Sequence, residues 1–467
     1  MNPGLPTSRR DVLTRYGSGF GGLALGSLLS DAGQAGDMHR PAPHFPATAR
    51  AVIQLYMHGG PSHVDLLDPK PLLNRYDGMA PPAEVADDES RTKSLMGSPF
   101  RFRRCGQSGV EFSEIQPHVS EHADDIAVVR SMFSEHRNHE QAIWMAQTGL
   151  TIAGRPTLGA WAAYGLGTEN RSLPAFVALP DPSGPSVDGV RNWSSGWLPP
   201  VYQGTVFREQ GSPVLNLQSR VPRSRAVEQG RAQLLLRLNE QHLADRPGNL
   251  ELEARIASFE LAGRMQLAAL DALDLSQETA ETQRAYGLEN PATKSYGKRC
   301  LMARRLVERG VRFVSLFMAS QPWDTHSSNN DGTKNCCLRT DQPVGALLTD
   351  LKQRGLLDST LVLWGGEFGR TPAAEARDDK TAYGRDHHPY GFSVWLAGGG
   401  IKGGQHYGAT DDFGYRAIEN RTQTADLHAT ILKLLGLNHE TLTWHHNGRD
   451  ERLTDVYQAK VIDPLLK

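Results

Sequence analysis

Cysteine is scarce in this sequence: Cys105, Cys300, Cys336 and Cys337 are the four in 467 residues. None stands in a Cys-x-x-Cys pair, which excludes a thiolate zinc ribbon, and so low a density excludes a disulfide-stapled scaffold. Spacing does not choose among the pairings that four cysteines allow. An excess of one charge is also missing. Lys and Arg number 50 against 52 Asp and Glu, a net charge of −2, so no whole-protein field exists to hold nucleic acid or an anionic membrane. Beyond the N-terminal segment no window reaches the ~18 apolar residues that a membrane span needs. Internal repeats are absent. Gly398-Gly-Gly400 with Gly403-Gly404 lacks the following Lys-Ser/Thr of a phosphate-binding loop, which leaves it a turn.

Hydrophobic residues at 39% and 47 glycines place the chain among loop-rich globular proteins and exclude global disorder or a collagen repeat. A prior of ~150 residues per domain allows about three domains or one large α/β domain with insertions. The N-terminus reads Ser8-Arg-Arg-Asp-Val-Leu13, then a charge-free, glycine-softened run from Gly17 to Ser30, then Ala32-Gly-Gln-Ala35. That order is a signal peptide over residues 1–35, and Arg9-Arg10 points to the twin-arginine route and a periplasmic or extracellular destination. Cleavage near Ala35 and retention as an anchor both stay open.

From Ala51 the pattern changes to short apolar, β-branched runs separated by helical periodicity. Buried strands are expected at Ala51–Met57, Ile126–Val129, Ala175–Leu179, Val311–Phe317, Thr360–Trp364 and Phe392–Ala397. Helices are expected at His139–Thr148, Thr157–Tyr164, Val344–Arg354 with Gly355 as its cap, and Ala425–Leu435 with Gly436. Alternation of this kind predicts an α/β domain over residues 50–460, with a mostly parallel sheet covered on both faces. Residues 226–273 are rich in Leu, Ala, Glu, Arg and Gln, and Arg246-Pro-Gly248 breaks them in two. They read as a helical hairpin, extended over 226–309 as an insertion. Ala80–Arg104 reads as a polar surface loop.

Ligands of open α/β sheets sit at the carboxyl ends of strands. The residues after each expected strand here are His58-Gly-Gly-Pro-Ser62-His-Val-Asp65, Asn138-His139, Trp323-Asp324-Thr-His326 and Gly366-Glu367-Phe-Gly-Arg370, while Gly384-Arg385-Asp-His387-His388 precedes the last strand. Singly these mean little: Asp-x-His starts at Asp37, Asp324, Asp386 and Asp426 in a chain with 17 histidines. Their recurrence at strand ends is the signal. Mixed imidazole and carboxylate donors suit zinc, manganese or iron better than magnesium or calcium, so one or two such ions are expected from His58, Asp65, Asp324, His326, Glu367, His387 and His388. Ser62 is either a nucleophile or the cap of a short helix. Arg370 and Arg385 either hold substrate oxygens or form loop ion pairs. Asn138 and His139 reach for substrate, unless Asn138 is simply a helix cap. His428 reads as a capping or core residue.

Taken together, the leader, these five clusters, Gly154-Arg-Pro156, Asn192-Trp193 with Gly196, and Gly448-Arg-Asp450 with Leu453-Thr-Asp455 resemble a large bacterial family of exported proteins. That family is named as a domain of unknown function and classed with the alkaline phosphatase and sulfatase superfamily. The resemblance implies an alkaline-phosphatase-like three-layer sandwich. It also implies that Asp324 and His326 serve one metal, with Glu367 and His387 or His388 as further ligands. His58 stands where most superfamily members have an aspartate, and Phe368 where they have a second histidine, so the resemblance implies less than a full two-metal centre. Formylglycine chemistry needs Cys-x-Pro/Ala-x-Arg, which Cys300-Leu-Met-Ala-Arg304 does not match. Two functions follow as expectations: a metal-dependent hydrolase of small-molecule or saccharide phosphate or sulfate esters, or an inactive relative that binds an anion or saccharide. Oligomeric state is not legible.

Overall fold

A computed structural model describes residues 43–82, 92–211, 214, 224–375 and 383–467. The twin-arginine segment lies outside the described residues. The strands that matter are, in chain order, β1 (Ala51–Tyr56), β2 (Thr92–Leu95), β3 (Phe102–Cys105), β4 (Val110–Ser113), β5 (Ile126–Phe133), β6 (Phe176–Leu179), β7 (Thr205–Val206), β8 (Phe313–Phe317), β9 (Thr360–Gly365), β10 (Gly369–Glu375), β11 (Arg385–His388), β12 (Phe392–Ala397) and β13 (Gln405–Tyr407). The main sheet runs β13-β5-β12-β9-β1-β8-β6-β7, and Thr422–Gln423 pairs beside β5. Every pairing in it is parallel except those of β12, which runs against both β5 and β9. This is an α/β fold with a mostly parallel central sheet.

The reversal of β12 matters for the site. Parallel strands β1, β5, β8 and β9 all end at one edge, and an antiparallel strand begins there. Residues just before β12 therefore meet residues just after the other four.

Two-residue periodicity divides the sheet's side chains between two cores. Ile53, Leu55, Val314, Leu316, Val362 and Trp364 face one of them, together with Cys300, Leu301, Leu347 and Leu351 from the covering helices. Val52, Tyr56, Phe313, Phe317, Leu361 and Leu363 face the other, together with Trp161, Ile431 and Leu432. The helices, in chain order, are α1 (His63–Leu66), α2 (Pro71–Arg75), α3 (His139–Thr148), α4 (Leu158–Leu166), α5 (Arg225–Ala244), α6 (Leu250–Leu273), α7 (Ala280–Ala285), α8 (Lys294–Glu308), α9 (Asn329–Gln353) and α10 (Thr424–Leu434). α5 and α6 turn over at Arg246-Pro-Gly248, and α6 enters the first core through Met265, Ala269 and Ala272.

Two local expectations are corrected. Part of the Ala80–Arg104 loop is strand: Leu95 and Thr92 of β2 pair with Ala373 and Glu375 of β10, a long-range pairing that no local pattern announces. Helix α9 begins at Asn329, not at Val344, and carries Pro343 inside it. Proline usually ends a helix by removing an amide donor, and here buried packing on both sides of Pro343 overrides that preference.

The seam between α6, α7 and α8 is ionic. Glu278 accepts from Arg304 at 2.6 Å and from Arg305, and Arg305 also donates to the Ala272 and Asp271 carbonyls at the end of α6. Removing Glu278 leaves Arg305 with neutral partners alone, the Ala272 and Asp271 carbonyls and Gln277, while Arg304 keeps Glu308 and Asp350. Glu278→Ala is therefore expected to lower unfolding free energy by about 3 kcal/mol. Urea denaturation would show it, and an unchanged midpoint would mean that the seam contributes nothing.

Candidate metal centre

At the carboxyl edge four side chains crowd around one carboxylate oxygen. The Oδ1 of Asp324 lies 3.0 Å from His326 Nε2, 3.1 Å from His387 Nε2, 3.4 Å from His139 Nε2 and 2.6 Å from the Arg370 guanidinium. His326 Nε2 and His387 Nε2 are 2.9 Å apart. The side chains come from four strand ends. Asp324 and His326 follow β8, His139 opens α3 after β5, Arg370 is in β10 after β9, and His387 precedes β12.

Two of the imidazoles are oriented from behind. His139 Nδ1 donates to Glu367 Oε1 at 2.7 Å, and His326 Nδ1 donates to Glu375 Oε2 at 2.8 Å. A carboxylate on Nδ1 fixes the tautomer and aims the Nε2 lone pair the other way. Here both Nε2 atoms meet Asp324 Oδ1, and that of His326 meets His387 Nε2 as well. Lone pairs placed 2.9–3.4 Å from one another and from an anion repel unless a proton or a metal cation stands among them. The electrostatics agree. Burial alone would raise the Asp324 carboxyl, yet hydrogen bonds from His139, His326 and His387 and the Arg370 charge hold it far below the usual carboxylate range. His326 is raised, chiefly by its bond to Asp324. His139 is raised as well, because Asp324 and Glu367 outweigh its burial. His387 is lowered, mainly by desolvation.

Among the described residues two groups of three have donor atoms within 4.8 Å of one another: His139, Asp324 and His387, and His326, Asp386 and His387. The residues of both groups are partly buried. The donor set fits a transition metal better than calcium or magnesium.

The remaining sequence candidates take other places. Glu367 is buried, and its Oε1 receives both His139 and the Gly59 amide, the latter at 2.9 Å, so it stands behind the His139 ring. His58 is fully buried against Tyr56 and Phe317, and desolvation lowers its pKa to about 4, which keeps it neutral. Phe368 fills the space between His139 and His387, with ring centroids 4.9 and 4.8 Å away. His388 faces the Tyr415 carbonyl. Asn138 is exposed and caps α3 without a side-chain bond.

Ser62, Asp65 and Arg385 form a separate buried knot. Ser62 Oγ donates to Asp65 Oδ2 at 2.6 Å, and Arg385 grips both Asp65 oxygens at 2.8 and 3.0 Å. Both Asp65 oxygens are thereby engaged inside the knot, apart from the Asp324 cluster. Ser62 sits at the α1 cap position without a capping bond. Arg385 and Arg370 are 0% exposed, and their donors go to Asp65, Asp324 and backbone carbonyls, so neither of these two guanidinium groups faces solvent.

Glu375 and Asp386 were not among the sequence candidates. Asp386 heads an Asp-x-His triplet and was legible in principle. Glu375 had no local signal, since cross-strand geometry delivers it: its amide bonds to the Gly384 carbonyl at 2.9 Å.

An α/β protein with a histidine–carboxylate centre at the carboxyl edge of its sheet is thus defined. Residues 49–466 match the family described as "Protein of unknown function (DUF1501)", and the chain belongs to that family. None of the curated proteins matches it. Solved structures similar to it include the lipoteichoic acid synthase LtaP from Listeria monocytogenes, at 9% identity and TM-score 0.37, covering 85% of this chain and 74% of that one. A sulfatase from Pseudoalteromonas sp. is 12% identical at TM-score 0.36, covering 91% and 72%. An alkaline phosphatase from the Antarctic bacterium TAB5 is 11% identical at TM-score 0.31, covering 83% and 98%. Likenesses this distant carry no substrate over to this chain.

Proposed function

We propose that this protein is an exported metal-dependent hydrolase of phosphate or sulfate esters, with one zinc, manganese or iron ion held by His139, Asp324 and His387 beside His326. The observation that carries the reading is the convergence of three imidazole Nε2 atoms on Asp324 Oδ1, two of them aimed by carboxylates. His387 belongs to both candidate groups, which favours one ion at a time. When bound there, such an ion would supply Lewis acidity for activating water and polarising an ester oxygen.

The chain's own residues supply the rest. Glu367 and Glu375 hold His139 and His326 in the tautomer that offers Nε2 and raise their basicity. Arg370 offsets the charge of Asp324 from beneath and stays out of solvent. Water is the attacking group in this reading, since Ser62 is turned to Asp65 and Cys300 is buried in α8. A saccharide or small-molecule ester would enter from the solvent side. Among the described residues no helix is long and apolar enough to cross a membrane.

Protein from the exported fraction is expected to carry about one transition-metal ion per chain and to cleave p-nitrophenyl phosphate or sulfate. Elemental analysis with an ester screen decides it. Absence of metal would sink the reading, and metal without turnover on any ester would turn it into an anion-binding protein of the same fold.

A further inference from the structure

The buried knot beside the centre ties together the segments that carry its donors. Asp65 Oδ2 accepts from Ser62 Oγ, from Arg385 Nε and from Asn329 Nδ2 at 2.8 Å, while Oδ1 accepts from Arg385 Nη2. Asn329 passes the constraint on, since its Oδ1 accepts from Thr325 Oγ1 at 2.6 Å. Thr325 sits between Asp324 and His326. Its carbonyl also accepts the Arg385 amide at 3.0 Å, and Arg385 lies two residues before His387. Arg385 then spends its remaining donors on the Thr371, Met96 and Gly97 carbonyls.

A buried ion pair is poor evidence of stabilisation, because well-packed apolar residues often serve as well. What apolar residues cannot do is fix two loops in register through directed bonds. We propose that Asp65 and Arg385 are the positioning pair of the centre, clamping the Asp324–His326 loop against the strand that carries His387 and so setting metal affinity. The proposal rests on the reading of that centre as a metal site.

A comparison separates positioning from plain structure. Asp68 lies on the same turn and is equally buried; it pairs with Lys70 at 3.1 Å and with the Arg130 charge at 3.8 Å and accepts from Thr410, and among the described residues none of these three hydrogen-bonds the donor loops. Metal-stripped wild type, Asp65→Asn, Thr325→Val and Asp68→Asn would be titrated with Zn²⁺ and with Mn²⁺ against a chromophoric chelator, with urea stability measured alongside. Asp65→Asn and Thr325→Val are expected to bind 10–100-fold more weakly, the range for residues that orient ligands from behind. Asp68→Asn is expected to lose stability and keep its affinity. Should Asp65→Asn fail to fold, Thr325→Val carries the test, since it removes one hydroxyl at nearly constant volume. A folded Asp65→Asn or Thr325→Val with wild-type affinity overturns the positioning role while the metal reading stands. Wild type that takes up neither ion overturns both.

Discussion

Asp324→Ala is expected to empty the centre. Metal content should fall from about one ion per chain to background, and ester hydrolysis by at least about 100-fold, since a direct ligand matters more than the outer residues that cost 10–100-fold. Asp324 is the hub: His139, His326, His387 and Arg370 all meet its Oδ1. Its removal also strands the fully buried Arg370 guanidinium with the Gly59, Gly60 and Arg385 carbonyls as its remaining partners. Breaking such a pair costs about 3 kcal/mol, which should appear in the metal-free protein as a lower urea midpoint. Asp324→Asn separates the two effects. It keeps the shape and an acceptor for Arg370, so it should recover part of the stability while still failing to hold metal. Retention of stoichiometric metal by Asp324→Ala would remove the centre from His139, Asp324 and His387 altogether.

How much of this was legible in the sequence depends on whether a feature is local or made by pairing. β1, β9 and β12 were readable because a strand buried on both faces is a short apolar run with turn residues at its ends. The break of the hairpin at Arg246-Pro-Gly248 was readable because glycine and proline punctuate helices. The helix expected at Val344–Arg354 starts fifteen residues earlier, at Asn329, because a proline rule is local and α9 runs through Pro343. Asp324, His326 and His387 were legible as residues at strand ends. His139 was legible as a residue reaching the same pocket, though as a substrate contact; that its Nε2 lies against Asp324, and that Arg385 holds Asp65, were not. Asp65 and Asp324 have the same chemistry and similar settings after parallel strands. What divides them is a partner 320 residues away, Arg385, which claims both oxygens of one and leaves the other to the imidazoles. Nor does sequence show which side of a histidine faces the site. That depends on Glu367 and Glu375 standing behind Nδ1, and β10 brings Glu375 there only through its register with β11 and β2.

The glycines after β1 give the second large effect. Gly59 has φ +109°, where side chains are strained, and a Cβ placed there would stand 2.4 Å from the Asp324 amide nitrogen and 2.8 Å from the Trp323 carbonyl carbon. Both obstacles are backbone, so no rotamer change relieves them. The segment cannot back away freely either, because the Trp323 amide bonds to the His58 carbonyl at 3.2 Å and Arg370 holds the Gly59 and Gly60 carbonyls from below. Gly59→Ala should therefore cost about 1–3 kcal/mol in backbone strain and about 1–3 kcal/mol in overpacking. What relaxation it finds must push Asp324 off its position. Gly78 is the matched comparison, with φ +79° and nothing within 4 Å of the added Cβ. Gly78→Ala pays the conformational strain alone and should bind metal like wild type. If the two alanine variants unfold at the same urea concentration and hold the same metal, close approach of β1's loop to Asp324 does not build the site. If Gly59→Ala loses both stability and metal while Gly78→Ala loses only a little stability, the glycine after His58 exists to let one strand end touch the next.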